Sequence, residues 1–235
     1  MSCPDPRTCP VDRARPRYPR SAVLTAGRVW YNVSRHRDTL NSSGRRDNRF
    51  SPLRRSDGQV IPHVYLAQNH LGALLESALH DTWGAQNRVQ RSDLEGLSLR
   101  AVACRTPVRV VDLRDDQLKH YGMTREQIVA APSEHYSCTR AWALRRSRLN
   151  IGGHATAGFI WNSRQAEIAA DYAAAALRVL LTVSEQTGHV AVVYDHEGVG
   201  DALFESSVIY ADLSHGAGLA FVRDVATAVG LFVED

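Results

Sequence analysis

The stretch VYLAQNHLGALLESALHD, residues 64–81, decides how the rest of the chain is read. It opens in a short strand, VIPHVYLA (60–67), entered after a turn that contains Gly58. From Gln68 the pattern changes. Leu71, Leu74, Leu75, Ala78 and Leu79 recur three and four residues apart, which predicts an amphipathic helix over residues 68–83. Two side chains in this stretch stand out. A strand tyrosine such as Tyr65 is ordinarily core with its hydroxyl tied off, but its ring can also lie against a planar ligand. Glu76 sits within the apolar helix, one turn after Gly72 and Ala73 and one turn before Leu79 and His80. A glycine in a helix interior costs roughly 1 kcal/mol against alanine, and its missing side chain leaves room beside a carboxylate. A glutamate on the solvent boundary of the helix gives the same spacing, so both readings stay open.

Upstream, AVLTAGRVWYNV (22–33) reads as a strand, or as a strand entered through Gly27, and residues 34–58 read as one long polar loop. A loop of that length inside a compact domain is more often functional than idle. It carries Arg49, flanked by Arg45, Arg46, Arg54 and Arg55. Arginine pairs with phosphate through two parallel hydrogen bonds, a geometry lysine cannot copy. A loop of solvated charges would have the same composition.

Downstream, SLRAVAC (98–104), VRVVDL (108–113), AGFIWN (157–162), HVAVVYD (189–195) and VIYADL (208–213) read as strands. TREQIVAA (124–131) reads as a helix ended by Pro132, and residues 135–148 as an amphipathic helix with Trp142 and Leu144 inward. Residues 165–184 are rich in alanine and other helix formers. LAFVRDVATAVGLFV at the end is ambiguous, and HEGVGDA (196–202) reads as a turn. Ser163 directly follows the strand AGFIWN. It can offer a hydroxyl to a ligand, cap the helix that follows, or both. No G-x-S-x-G elbow surrounds it, which argues against a hydrolase nucleophile. Strands and helices mix without a βαβ rhythm, so the expected class is α+β.

The 235 residues, 44% of them hydrophobic, suffice for one sizeable core. Residues 1–55 hold 13 arginines and 4 acidic residues, a local charge of +9 against −6 for the remainder. Such a front suits an anionic ligand, a nucleic acid or an acidic protein. Residues 1–20, with five prolines among their arginines, read as a flexible basic arm, and residues 21–235 as the folded domain. No apolar run reaches the roughly 18–20 residues that span a bilayer, so a cytoplasmic protein is expected. Four cysteines are too sparse for a disulfide scaffold, and the histidines lack metal-ligand spacing.

Taken in order, NRFSPL (48–53), the opening stretch at 64–81, and GFIWNSRQ (158–165) resemble the RES domain, named for arginine, glutamate and serine. YSCTRAWAL (136–144) resembles the family helix that precedes the serine strand. The resemblance spans about residues 28–165. It implies an α+β fold similar to ADP-ribosyltransferases, with a mixed or split sheet and flanking helices. It also implies a toxin that consumes NAD⁺, usually encoded with a helix-turn-helix antitoxin that covers the active site. Any contact with nucleic acid would then run through that antitoxin; a homo-oligomer is compatible with the pattern, and no membrane is implied. By resemblance Arg49 would bind the NAD⁺ phosphates, Tyr65 would stack on nicotinamide, Glu76 would hold the ribose hydroxyls, and Ser163 would help place the nicotinamide end. Tyr31 and Arg35 would add contacts to the dinucleotide. Many members carry an arginine directly after the aromatic of the first strand; here the run is WYNV, with Asn32 at that place, and Arg35 or Arg28 is left to compensate. NAD⁺ is expected as substrate, with no metal. The expected activity is a glycohydrolase or phosphorylase, with transfer of ADP-ribose to a protein, or a non-enzymatic basic binding module, as the alternatives.

Overall fold

Short runs rich in valine and other apolar residues assemble into one eight-stranded sheet. A computed structural model describes residues 11, 18–44, 48–80, 82, 87–129, 135–166 and 188–235. Its strands are β1 (Ser21–Leu24), β2 (Val29–Ser34), β3 (His63–Ala67), β4 (Arg88–Gln90), β5 (Ser98–Cys104), β6 (Val108–Asp112), β7 (Asn150–Ile151), β8 (His154–Ala155), β9 (Gly158–Asn162), β10 (His189–Tyr194), β11 (Phe204–Tyr210) and β12 (Phe232–Glu234). The main sheet runs β1-β6-β9-β10-β3-β2-β5-β11; β4 pairs with β12, and β7 with β8. Within the main sheet β6 and β9 are parallel and the other neighbours antiparallel.

The described helices are α1 (His70–Leu75), α2 (Arg91–Leu94), α3 (Arg125–Ile128), α4 (Tyr136–Arg146) and α5 (Gly216–Ala228). Each of them sends at least one buried side chain into the same core, on the sheet face that carries Phe159, Trp161, Val192 and Tyr194. The opposite face carries Trp30, Leu66, Val102 and Val193 in a smaller core to which none of these five helices contributes. The fold is therefore α+β, a mixed sheet with its helices gathered on one side. Gly158 lets β9 lie close to β10: a Cβ there would sit 1.9 Å from the Val192 carbonyl oxygen.

One join in the sheet is weak. The register between β2 and β3 rests on the single pair Tyr31–Ala67, whereas β2 and β5 share six pairs and β3 and β10 share five. The Asn32 side-chain amide crosses this seam and donates to the Tyr65 carbonyl at 2.9 Å. A side chain here takes over what the backbone ladder does elsewhere.

Several elements differ in extent from the expected ones. The run 22–33 is two strands, β1 and β2, because Gly27 takes φ +72° and gives its N–H to the Cys104 carbonyl. The helix expected over 68–83 is only α1. Asn69 caps its start by accepting from the Gly72 N–H at 2.7 Å. Beyond Leu75 the Leu79 N–H reaches back five residues to the Leu74 carbonyl, and the Ser77 hydroxyl donates to the Ala73 carbonyl. These bonds replace the α-helical pattern, yet Leu74, Leu75 and Leu79 all remain fully buried. In α4 Trp142 is buried but Leu144 is 44% exposed, since two residues along a helix turn a side chain to the far side. The strand expected at 208–213 lies earlier, as β11, and the ambiguous C-terminus resolves into α5 and β12. The turn at 196–202 closes on the buried Asp195 carboxylate, which accepts from the N–H groups of Gly198, Val199 and Gly200. Most of the helix expected over 165–184 and most of the arm fall outside the described residues. Val11, within that arm, is buried in the main core.

His63 opens β3 at only 2% exposure, and its Nδ1 lies 3.3 Å from the Ile61 carbonyl. Burial lowers its pKa from 6.5 to about 4. A depressed folded-state pKa makes the contribution complete above 6.5 and lost as pH falls toward 4. Over that window the loss is on the order of 3 kcal/mol. We expect urea unfolding at pH 7, 5.5 and 4.5 to show this decline in the parent and a flatter one in His63→Gln; equal slopes would remove His63 as the cause.

Candidate active site

The site is built around Tyr65, whose ring rises from β3 on the main-core face, edge-on to Trp161 and to His63. Its hydroxyl donates to Ser51 Oγ at 3.1 Å. Burial pushes the phenol up to about 12; the Ser51 bond and the charge of Arg49 pull against that rise, and the charge of Glu76 adds to it. The phenol thus remains protonated at neutral pH, and both charged groups are near enough to act on it.

Arg49 reaches this place on a loop with no regular structure, and its carbonyls show what holds it. The Asn48 carbonyl accepts from Arg140 Nη1 at 3.1 Å, the Arg49 carbonyl from Thr139 Oγ1 at 2.7 Å, and the Phe50 carbonyl from the Tyr194 hydroxyl at 2.6 Å. The Asn48 N–H closes the turn on the Ser51 carbonyl at 2.7 Å. Tyr136 of α4 lies under the guanidinium, 5.7 Å from Arg49 Cζ to the ring centre. Tyr136, Thr139 and Arg140 stand three and four residues apart, so one face of α4 grips the loop. The guanidinium forms no ion pair with any described residue, and its Nε is buried without a hydrogen-bond partner. Arg54 and Arg55 are engaged with the carbonyls of Gly58 and His196, and Arg45 and Arg46 lie outside the described residues.

Glu76 is half-buried at the C-terminal cap of α1, not inside a longer helix. Ser163, 2% exposed just after β9, donates its hydroxyl to Glu76 Oε1. The same Ser163 oxygen accepts from the Ala166 N–H at 3.0 Å, so it also caps the helix that begins at residue 164. Glu76 Oε2 has no partner among the described residues. One carboxylate oxygen is therefore fixed and the other is left to accept from a ligand.

Arg49, Tyr65, Glu76 and Ser163 come together from four separate segments. Arg35 is not brought to them: it donates to the carbonyls of Glu95 at 3.0 Å and Asp93 at 2.5 Å, at the C-terminal end of α2. Tyr31 lies on the same sheet face as Tyr65, edge-on to His70 at the start of α1. Asn32 is on the opposite face, across from Arg100 in β5, so the place the resemblance gives to an arginine points away from the site. Sequence reasoning missed Ser51, Tyr136, Thr139 and Tyr194. The spacing of Tyr136, Thr139 and Arg140 was a usable signal; nothing in the sequence joins Tyr194 to Phe50. Among the described residues no cluster of His, Cys, Asp or Glu could hold a metal ion, and no helix is long and apolar enough to cross a membrane.

This combination of a mixed α+β sheet with an arginine, a tyrosine, a glutamate and a serine at one spot defines a class. The RES-domain family model matches residues 25–195, well over half of the chain. The chain belongs to the RES-domain family. No curated protein and no solved structure matches it.

Thr139 is fully buried, and replacing it with valine keeps its shape while stripping the Arg49 carbonyl of its donor. We expect Thr139→Val to lose about 1–3 kcal/mol in urea unfolding, as a buried acceptor left unpaired does. A variant as stable as the parent would mean that the loop does not depend on this bond.

Proposed function

We propose that the protein breaks the bond between nicotinamide and ribose in NAD⁺. The observation that carries this reading is the half-tied carboxylate of Glu76, beside a protonated tyrosine and near an arginine that lacks a carboxylate partner among the described residues. Such a set suits a ligand with phosphates at one end and a sugar about to gain positive charge at the other.

Breaking the C1′–N bond sends the bonding pair to the nicotinamide nitrogen, which leaves neutral and needs little acid help. Positive charge then builds on the ribose. Glu76 Oε2, accepting from the ribose hydroxyls, stabilises that charge more in the transition state than in the ground state. The Ser163 bond to Oε1 fixes the carboxylate in advance, so little reorganisation is needed when charge develops. Arg49 binds the pyrophosphate through its fork, and that remote contact helps orient the reacting bond. The tyrosine ring offers a flat apolar surface to the leaving nicotinamide. An oxygen of water or phosphate forms the new bond at C1′, and water gives up a proton as it does so.

The test is release of free nicotinamide from NAD⁺ by the purified full chain. Glu76→Gln keeps the volume and removes the charge, and the rate is expected to fall on the order of 10²-fold or more. A folded Glu76→Gln that turns over NAD⁺ at the parent rate refutes the role of Glu76. Arg49→Lys keeps the charge and loses the fork, so KM for NAD⁺ should rise while nicotinamide release persists. An unchanged KM would return Arg49 to a structural part.

A further inference from the structure

A row of aromatic rings leads away from the site. Tyr31 of β2 meets His70 at 5.7 Å between ring centres, His70 meets Phe221 of α5 at 5.3 Å, and Phe221 stacks on Tyr210 of β11 at 5.2 Å. Tyr31, Phe221 and Tyr210 are only partly buried and His70 is exposed. The three carbon rings border the same core as Tyr65, so the row continues the face on which the site is built. Neither the Tyr31 nor the Tyr210 hydroxyl has a hydrogen-bond partner among the described residues. Burial of part of the His70 ring lowers its pKa, which favours the neutral ring.

We propose that this row seats the adenine base of the dinucleotide whose nicotinamide ribose lies at Glu76, an inference that rests on the NAD⁺ reading above. Three observations favour a base over any other occupant. The row is aromatic and holds no carboxylate, ammonium or guanidinium, and its His70 ring is exposed, as a stacking surface for a neutral heterocycle must be. Its two unpartnered hydroxyls can donate to ring nitrogens or accept from an amino group. Its separation from Glu76 is also suitable: His70 and Glu76 stand at opposite ends of α1, about 9 Å apart at 1.5 Å per residue. A ribose–pyrophosphate–ribose bridge, with its many rotatable bonds, spans such a gap. Tyr210 and Phe221 lie beyond the family match at 25–195, whereas Tyr31 and His70 lie within it, so the C-terminal part of the chain supplies two of the four rings.

The test separates the base from the phosphate and from the chemistry. In calorimetry the parent full chain is expected to bind AMP about tenfold more tightly than ribose 5-phosphate, since stacking on a base is worth about 1–3 kcal/mol. His70→Ala and Phe221→Ala should shrink that preference at least about threefold, with melting temperature showing which variants are folded. His70→Ala removes an exposed ring, so it remains informative if Phe221→Ala does not fold. In turnover, the ratio of kcat/KM for NAD⁺ to that for nicotinamide mononucleotide should fall in the same variants. Equal binding of AMP and ribose 5-phosphate by the parent, or an unchanged preference in folded His70→Ala, overturns the subsite. If AMP selectivity is lost as expected but no nicotinamide is ever released, the base subsite stands and the cleavage reading falls. If nicotinamide is released and the variants keep the parent's selectivity, the reverse holds.

Discussion

Three carbonyl groups in a row, those of Asn48, Arg49 and Phe50, are each held by a side chain from another element, and the site depends on this restraint. A loop without secondary structure leaves its backbone polar groups to be satisfied singly. Here the donors are Arg140 and Thr139 from α4 and Tyr194 from β10. The loop is thereby tied to a helix and to the middle of the sheet at once, and Arg49 inherits the rigidity of both. A charged side chain on a free loop loses much of its binding energy to ordering. On this loop the ordering is done when the protein folds.

The second restraint is the seam between β2 and β3. The backbone ladder there comes down to the single pair Tyr31–Ala67. Asn32 ties the seam a second time, by donating to the Tyr65 carbonyl. Tyr65 therefore has its hydroxyl tied to the arginine loop by Ser51, its carbonyl tied across the seam, and its ring packed edge-on to Trp161. The position of one residue thus depends on three elements at once, the arginine loop, β2 and β9.

How much of this was legible in the sequence follows from the range of each interaction. Alternation in SLRAVAC, VRVVD and HVAVVY is local, and those strands stand where the pattern puts them. The apolar spacing of Leu74, Leu75 and Leu79 correctly gave the buried face, yet it overstated the helix, because Ser77 and Leu79 redirect the chain by bonds that leave the burial pattern intact. Glu76, Tyr65, Arg49 and Ser163 could be named from residue type and from resemblance. That Ser163 would bond Glu76 across 87 positions of sequence could not be, since neither spacing nor propensity encodes it. Arg35 shows the converse: an arginine in a basic stretch looks like a phosphate ligand, but two backbone carbonyls near α2 occupy it.

The site also keeps features that local stability disfavours. Glu76 stands at the C-terminal end of a helix, where the dipole is unfavourable to a carboxylate. Arg49 has a buried Nε with no acceptor, and a buried unpaired donor costs roughly 1–3 kcal/mol. Thr139, Tyr194 and Asn32 could each hold their elements just as well if position 49 were apolar and position 76 neutral. The supports are thus arranged around two charges placed near one tyrosine and not paired with each other by any described bond. A structural ion pair would have joined them directly. Charges held apart, each with an unused atom, are the arrangement expected where a third body carrying both an anionic group and sugar hydroxyls completes the network.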